Sequence, residues 1–147
     1  MKSIKMALLL ALGAAACSSP FAPHEARVLS AARGQWGQRP FADYIFEARH
    51  GCFCLPEQVG PVQITVRQGA IVSVTLLETG EGVDPAHWFT IEQLYERIPS
   101  WAEYDGVEDV SVDYDPALGF PSRVEVRFDE GIADAGDTYT ISNVGPA

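Results

Sequence analysis

The chain has 147 residues, with 20 acidic against 10 basic side chains and a formal charge of −10. A polypeptide this acidic has no basic patch to neutralise phosphates, which argues against nucleic acid as a partner and against electrostatic adsorption to anionic lipid. With 47% hydrophobic residues, its length suits one domain with one core.

The chain opens on MKSIKMALLLALGAAAC, where Lys2 and Lys5 precede an uncharged apolar run from Met6 to Ala16. As a helix that run reaches only about half of a ~30 Å hydrocarbon core, so it reads as an export signal rather than a span. Cys17 directly follows the small residues, and cleavage before it with lipidation of its thiol is expected. The division is then a signal peptide at 1–16, a lipidated tether at 17–23 and one globular domain at 24–147. Ala14-x-Ala16 also satisfies a general signal peptidase, which would leave Cys17 a free thiol and the protein secreted or periplasmic. Ser18 lacks acidic character, favouring the outer membrane where the cell has one. Removing Lys2 and Lys5 takes the charge from −10 to −12 and leaves arginine as the only permanent cation. Schiff-base chemistry and a lysine-bearing phosphate loop are thereby excluded.

From His24 to Trp36, Val28, Leu29, Ala32 and Trp36 recur at helical steps, and Pro40 bars continuation. Next comes a strand whose even positions, Tyr44, Phe46, Ala48, His50, Cys52 and Cys54, share one face and should meet the core. Val62, Ile64 and Val66 alternate with polar residues, Gln68-Gly69 turns the chain, and Val72, Val74 and Leu76 continue inward on the next strand. A polar loop runs from Gly80 to Trp88. Thr90 and Gln93 then form a capping box for a second helix that buries Ile91, Leu94, Tyr95, Ile98 and Trp101, with a kink or stop at Pro99. Three more strands follow: Val110, Val112 and Tyr114; then Val124, Val126 and Phe128; then Tyr139 and Ile141. A turn-rich loop from Asp115 to Pro121 joins the first two. The order αβββαβββ predicts an α+β domain, a twisted antiparallel sheet of about six strands with two helices on one face.

Several segments together resemble a known family. They are Tyr44-x-Phe46, Cys52-Phe53-Cys54, Val62-x-Ile64-x-Val66-x-x-Gly69, Thr90-Ile91 before Leu94-Tyr95, Tyr114-Asp115 with Gly119-Phe120-Pro121, and Ala133-Asp134 before Tyr139. The pattern, from about Trp36 to Val144, resembles a family of bacterial secreted proteins and lipoproteins known only as a domain of unknown function. The resemblance implies an envelope protein of α+β type and supplies no activity.

Cys52 and Cys54 are the sharpest local feature. Two close cysteines in an exported protein are usually oxidised. An ideal strand holds the Cβ atoms of positions i and i+2 farther apart than the ~3.8 Å a disulfide prefers, so a bridge needs a bend there. A structural disulfide, two buried thiols, and a redox or metal function all remain open. Phe46, Phe53 and Leu55 should hide the sulfurs and raise their pKa, which favours a structural pair. His50 on the same face adds a nitrogen to two sulfurs, a weak candidate set for copper(I) or zinc.

Between Glu103 and Asp137 stand eleven carboxylates against Arg123 and Arg127. The loop from Asp129 lacks calcium-loop spacing, so a solvated acidic face is expected. Asp113 and Asp115 should lie on it, opposite Arg123 or Arg127. None of His24, His50 and His87 has a serine or carboxylate at motif spacing, so no catalytic residue is assigned and no cofactor is expected. Trp88 and Phe120, on loops, offer an aromatic contact surface beside Asp113 and Asp115. The sequence therefore predicts a monomeric, lipid-anchored binding or structural module with another envelope protein or a periplasmic ligand as partner. A thiol-redox or metal-handling protein and a loop-inserting enzyme inhibitor are the alternatives.

Overall fold

Alternating apolar and polar residues resolve into six strands in a computed structural model, which describes residues 21–52, 54–129 and 136–147. The segment expected to be an export signal, Cys17, Phe53, Glu130 and Asp134 lie outside the described residues. Helix α1 (Pro23–Trp36) precedes β1 (Tyr44–Gly51), the one-turn helix α2 (Pro56–Val59), β2 (Val62–Arg67) and β3 (Ala70–Leu76). A 3-10 turn at Pro85–His87 leads to α3 (Ile91–Trp101), β4 (Val107–Tyr114), β5 (Pro121–Phe128) and β6 (Gly136–Pro146). The fold is thus α+β, an open antiparallel sheet with two principal helices; the short turns before β2 and α3 are additions to the expected order.

Spatial strand order is β3-β2-β1-β6-β5-β4. Two three-strand meanders meet where β1 pairs with β6, so β1 is central while β4 is an edge. The repeated helix-and-three-strand layout of the chain thus gives two meanders whose corresponding strands, β1 and β4, take different places in the sheet.

The core lies between one sheet face and the two helices, and each strand feeds it by parity. Tyr44, Phe46, Val62, Ile64, Val66, Val124, Val126 and Ile141 are buried, whereas Arg49, Arg67, Asp113 and Arg127 are exposed. Helix α3 forms as its sequence dictates. Gln93 N donates to Thr90 Oγ1 at 3.1 Å, and Thr90 N donates to Gln93 Oε1 at 2.9 Å. Its five apolar positions are all buried, and it continues to Trp101 with Pro99 inside, two residues from its end.

Three expectations about parity and packing need correction. On β3 the register shifts after Thr65, pairing Val66 with Ile71 and Thr65 with Ser73. This bulge turns Val72 outward, 57% exposed, while Val74 stays buried. On α1, Val28 lies outside the buried stripe of Ala32 and Trp36. Within the stretch expected as a tether, Phe21 is buried at 8% exposure.

Candidate functional site

Strand β1 carries a polar-tipped residue at each end of its buried face: Tyr44 at the start and His50 at the close. Strand pairing sets the surroundings of each.

At the Tyr44 end, β1 begins beneath the first turn of α3. Tyr44 donates its hydroxyl hydrogen to Glu92 Oε2 at 2.5 Å and accepts from Ile91 N at 3.1 Å. Trp36 Nε1 and Arg39 Nη2 both donate to Glu92 Oε1, at 2.8 and 2.9 Å. The Arg39 guanidinium also lies 4.1 Å from the Trp36 ring centroid. Burial works to raise the Glu92 pKa, but hydrogen bonds from Tyr44 and Trp36 with the Arg39 charge outweigh it and hold the carboxyl below its ordinary value. Burial, reinforced by that carboxylate, pushes the Tyr44 hydroxyl far up. The cluster contains an acid, a phenol and a cation, and apart from Arg39 Nε, which is buried without a partner among the described residues, its polar groups are directed at one another and at nearby backbone.

At the other end, His50 stands opposite Tyr139 of β6, and the two rings stack with centroids 4.1 Å apart and 12° between planes. Tyr139 in turn stacks on Trp101 at 5.3 Å. This sandwich fixes the imidazole plane. Asp137, two residues before Tyr139, places Oδ1 3.2 Å from His50 Nε2. An ionised carboxylate only accepts, so Nε2 carries the hydrogen and, in the neutral ring, Nδ1 presents its lone pair. That lone pair faces Cys52, whose Sγ is 3.3 Å from Nδ1.

Cys52 and Cys54 lie at disulfide distance, with Cα atoms 5.2 Å apart. The bend this requires is present, because β1 ends at Gly51 and Cys52 sits in a bend. The same bend overturns the expected burial. Even parity holds through His50 and then stops: Cys52 is half-buried, Cys54 is exposed, and Leu55 is 60% exposed. The sulfurs therefore belong to a rim of the sheet. The donor atoms of His50, Cys52 and Cys54 all lie within 4.8 Å of one another, so the grouping read from strand parity is real although its reason is different.

The expected contact surface does not assemble. Phe120 is 6% exposed because the β4–β5 hairpin folds back on α1. Gln35 Nε2 donates to Pro116 O and Ala117 O there, and the Tyr95 hydroxyl donates to Gly119 O at 2.6 Å. Gly119 adopts φ +84°, and a Cβ on it would strike Ala32 O. Trp88 is 4% exposed, turned inward after the 3-10 turn that Asp84 caps through Ala86 N. Of the four residues, only Asp113 is fully exposed. Asp115 instead braces the hairpin, its Oδ1 accepting from Ala117 N and Leu118 N. Asp113 does register opposite Arg123, yet Arg123 pairs with Glu125 and Arg127 with Asp109, so the open face is mixed in charge.

Sequence reasoning missed Asp137 and Tyr139 as partners of His50. The signal was the even spacing of Asp137, Tyr139 and Ile141, which becomes informative only once β1 and β6 are known to pair. Among the described residues no helix is long and apolar enough to cross a membrane.

A family model described as a family of unknown function (DUF6174) matches residues 28–146, and the chain belongs to that family. The resemblance read from the sequence agrees with this match at the level of a domain of unknown function. No curated protein and no solved structure matches the chain.

Proposed function

We propose that this member of the family is a lipid-anchored envelope protein whose working part is the Cys52–Cys54 pair, which exchanges between disulfide and dithiol with partner thiols. The observation that carries the reading is the exposed Cys54 beside a Cys52 held 3.3 Å from an oriented imidazole nitrogen. A partner thiolate has access to Cys54 Sγ; its attack forms a mixed disulfide and releases the Cys52 sulfur. Cys52 then takes a proton and donates it as S–H to Nδ1, which is the acceptor this tautomer provides. A second thiol of the partner attacks the mixed disulfide and frees Cys54. In total one protein disulfide becomes two thiols while the partner dithiol becomes a disulfide, with two protons passing to the protein. The apolar cover expected to keep such thiols inert is missing at Leu55.

A staple is the competing role, and the short loop weakens it. In the chain-entropy account a bridge spanning so few residues gives about 1.5 kcal/mol.

The lipid anchor rests on the sequence around Cys17. Fatty-acid labelling in cells tests it: label on the wild type and none on Cys17→Ser is expected, and equal labelling of both removes the anchor. Exchange is tested on the native, oxidised chain with dithiothreitol, followed by alkylation and mass measurement. Both Cys52 and Cys54 should label without denaturant at a rate within a few-fold of the unfolded chain. Labelling that appears only after unfolding would refute the exchange role.

A further inference from the structure

Reduction of the Cys52–Cys54 pair would leave two thiols beside an imidazole that is already aimed. We infer that the dithiol state is a binding site for a single soft, thiol-seeking cation, copper(I), held by Cys52 Sγ, Cys54 Sγ and His50 Nδ1. The inference rests on the exchange reading above, because only the dithiol offers two thiolates.

The geometry supports it on three counts. First, the three donor atoms fall within 4.8 Å of one another. Two thiolates about 2.3 Å from one ion sit roughly 4 Å apart, a separation the 5.2 Å Cα spacing accommodates once the sulfur–sulfur bond is gone. Second, metal-bound histidines commonly give their other ring hydrogen to a carboxylate, and His50 Nε2 already meets Asp137 at 3.2 Å. That contact and the Tyr139 stack hold Nδ1 toward the sulfurs without further ordering. Third, the site lies at the exposed end of β1, so an ion has a way in.

The donor set also selects the ion. Two sulfurs and one nitrogen satisfy the low coordination number and soft preference of copper(I). Structural zinc wants four ligands, whereas the group found among the described residues has three, and Asp137 meets the far nitrogen of the imidazole. Loading releases one proton from each thiol. Returning to the disulfide expels the ion and passes two electrons to a partner disulfide, which takes up two protons from solvent, matching the two released on loading, as it becomes a dithiol. The oxidation state of the pair thus gates the metal.

The test uses the chain carrying Cys17→Ser, which removes the one other thiol. A phosphine opens the disulfide whatever the rate of thiol exchange. After the phosphine is removed, copper(I) is titrated anaerobically against a chromophoric chelator. One equivalent should bind the reduced chain, and the oxidised chain should hold it at least a hundredfold more weakly. His50→Gln and Asp137→Asn should each weaken binding about ten- to a hundredfold, with circular dichroism confirming the fold. Equal binding in both oxidation states, indifference to His50→Gln, or one equivalent of zinc taken in preference would overturn the inference. Tight copper binding after phosphine together with no dithiothreitol exchange would remove the exchange reading and keep the site. Rapid exchange with no copper bound would do the reverse.

Discussion

The two ends of β1 use the same design, a polar-tipped residue on the buried face, and reach opposite results. Tyr44 starts the strand under α3, where Glu92 takes hydrogen bonds from Tyr44, Trp36 and Arg39. His50 closes the strand where the sheet frays into a bend, so its ring is locked on one side by Asp137 and Tyr139 while Nδ1 faces a half-buried sulfur. A network whose members satisfy one another stabilises the fold. At the other end a lone pair stays directed at a half-buried sulfur whose bonded neighbour, Cys54, is exposed. The comparison teaches that what the polar tips face, rather than the presence of titratable groups or the exposure of their carboxylate partners, separates the two ends.

The largest expected effect tests the first half of this contrast. Glu92→Ala strands the Trp36 indole N–H, the Tyr44 hydroxyl and Arg39 without their acceptor, and should cost about 3 kcal/mol in denaturant unfolding. The second expectation concerns acid. The folded Glu92 carboxyl sits below its ordinary value of 4.5, so its contribution is complete above that value and is lost as pH falls through the folded one. Unfolding midpoints measured from neutral pH down past 4.5 should show that acid-sensitive part in the wild type and lack it in Glu92→Gln. Unchanged acid sensitivity in the variant would break the network account. Third, replacing both Cys52 and Cys54 by serine should lower stability by no more than about 1.5 kcal/mol. A loss as large as that of Glu92→Ala would show that the bridge is a staple after all and erase the difference between the ends. The smallest effects lie off the strand: Asp115→Ala should cost about 1 kcal/mol through its two lost turn hydrogen bonds, and Asp113→Ala within about 0.5 kcal/mol.

How far the sequence could be read follows from which forces are local. The strand of Val62, Ile64 and Val66 and the capped helix from Thr90 were legible because period and capping are written in neighbouring residues. Val72 was misplaced because a bulge depends on the partner strand, and nothing within β3 announces it. Trp88 and Phe120 looked like surface residues since loops usually are; Phe120 is buried where the hairpin docks on α1 through Gln35 and on α3 through Tyr95, and Trp88 where the turn capped by Asp84 leads it onto the core. The grouping of His50, Cys52 and Cys54 was visible from parity, but its exposure was not, because Gly51 ends the strand one step before the first cysteine. Asp137 could not be assigned to His50 without the β1–β6 pairing.

Phe21, set into the edge of the core at 8% exposure, has a consequence for where this body can work. Only three residues lie between it and Cys17, and even a taut chain of four Cα steps measures only about 14 Å. Were Cys17 to carry the proposed lipid, the folded body would therefore ride close to the bilayer surface, meeting what diffuses past the headgroups.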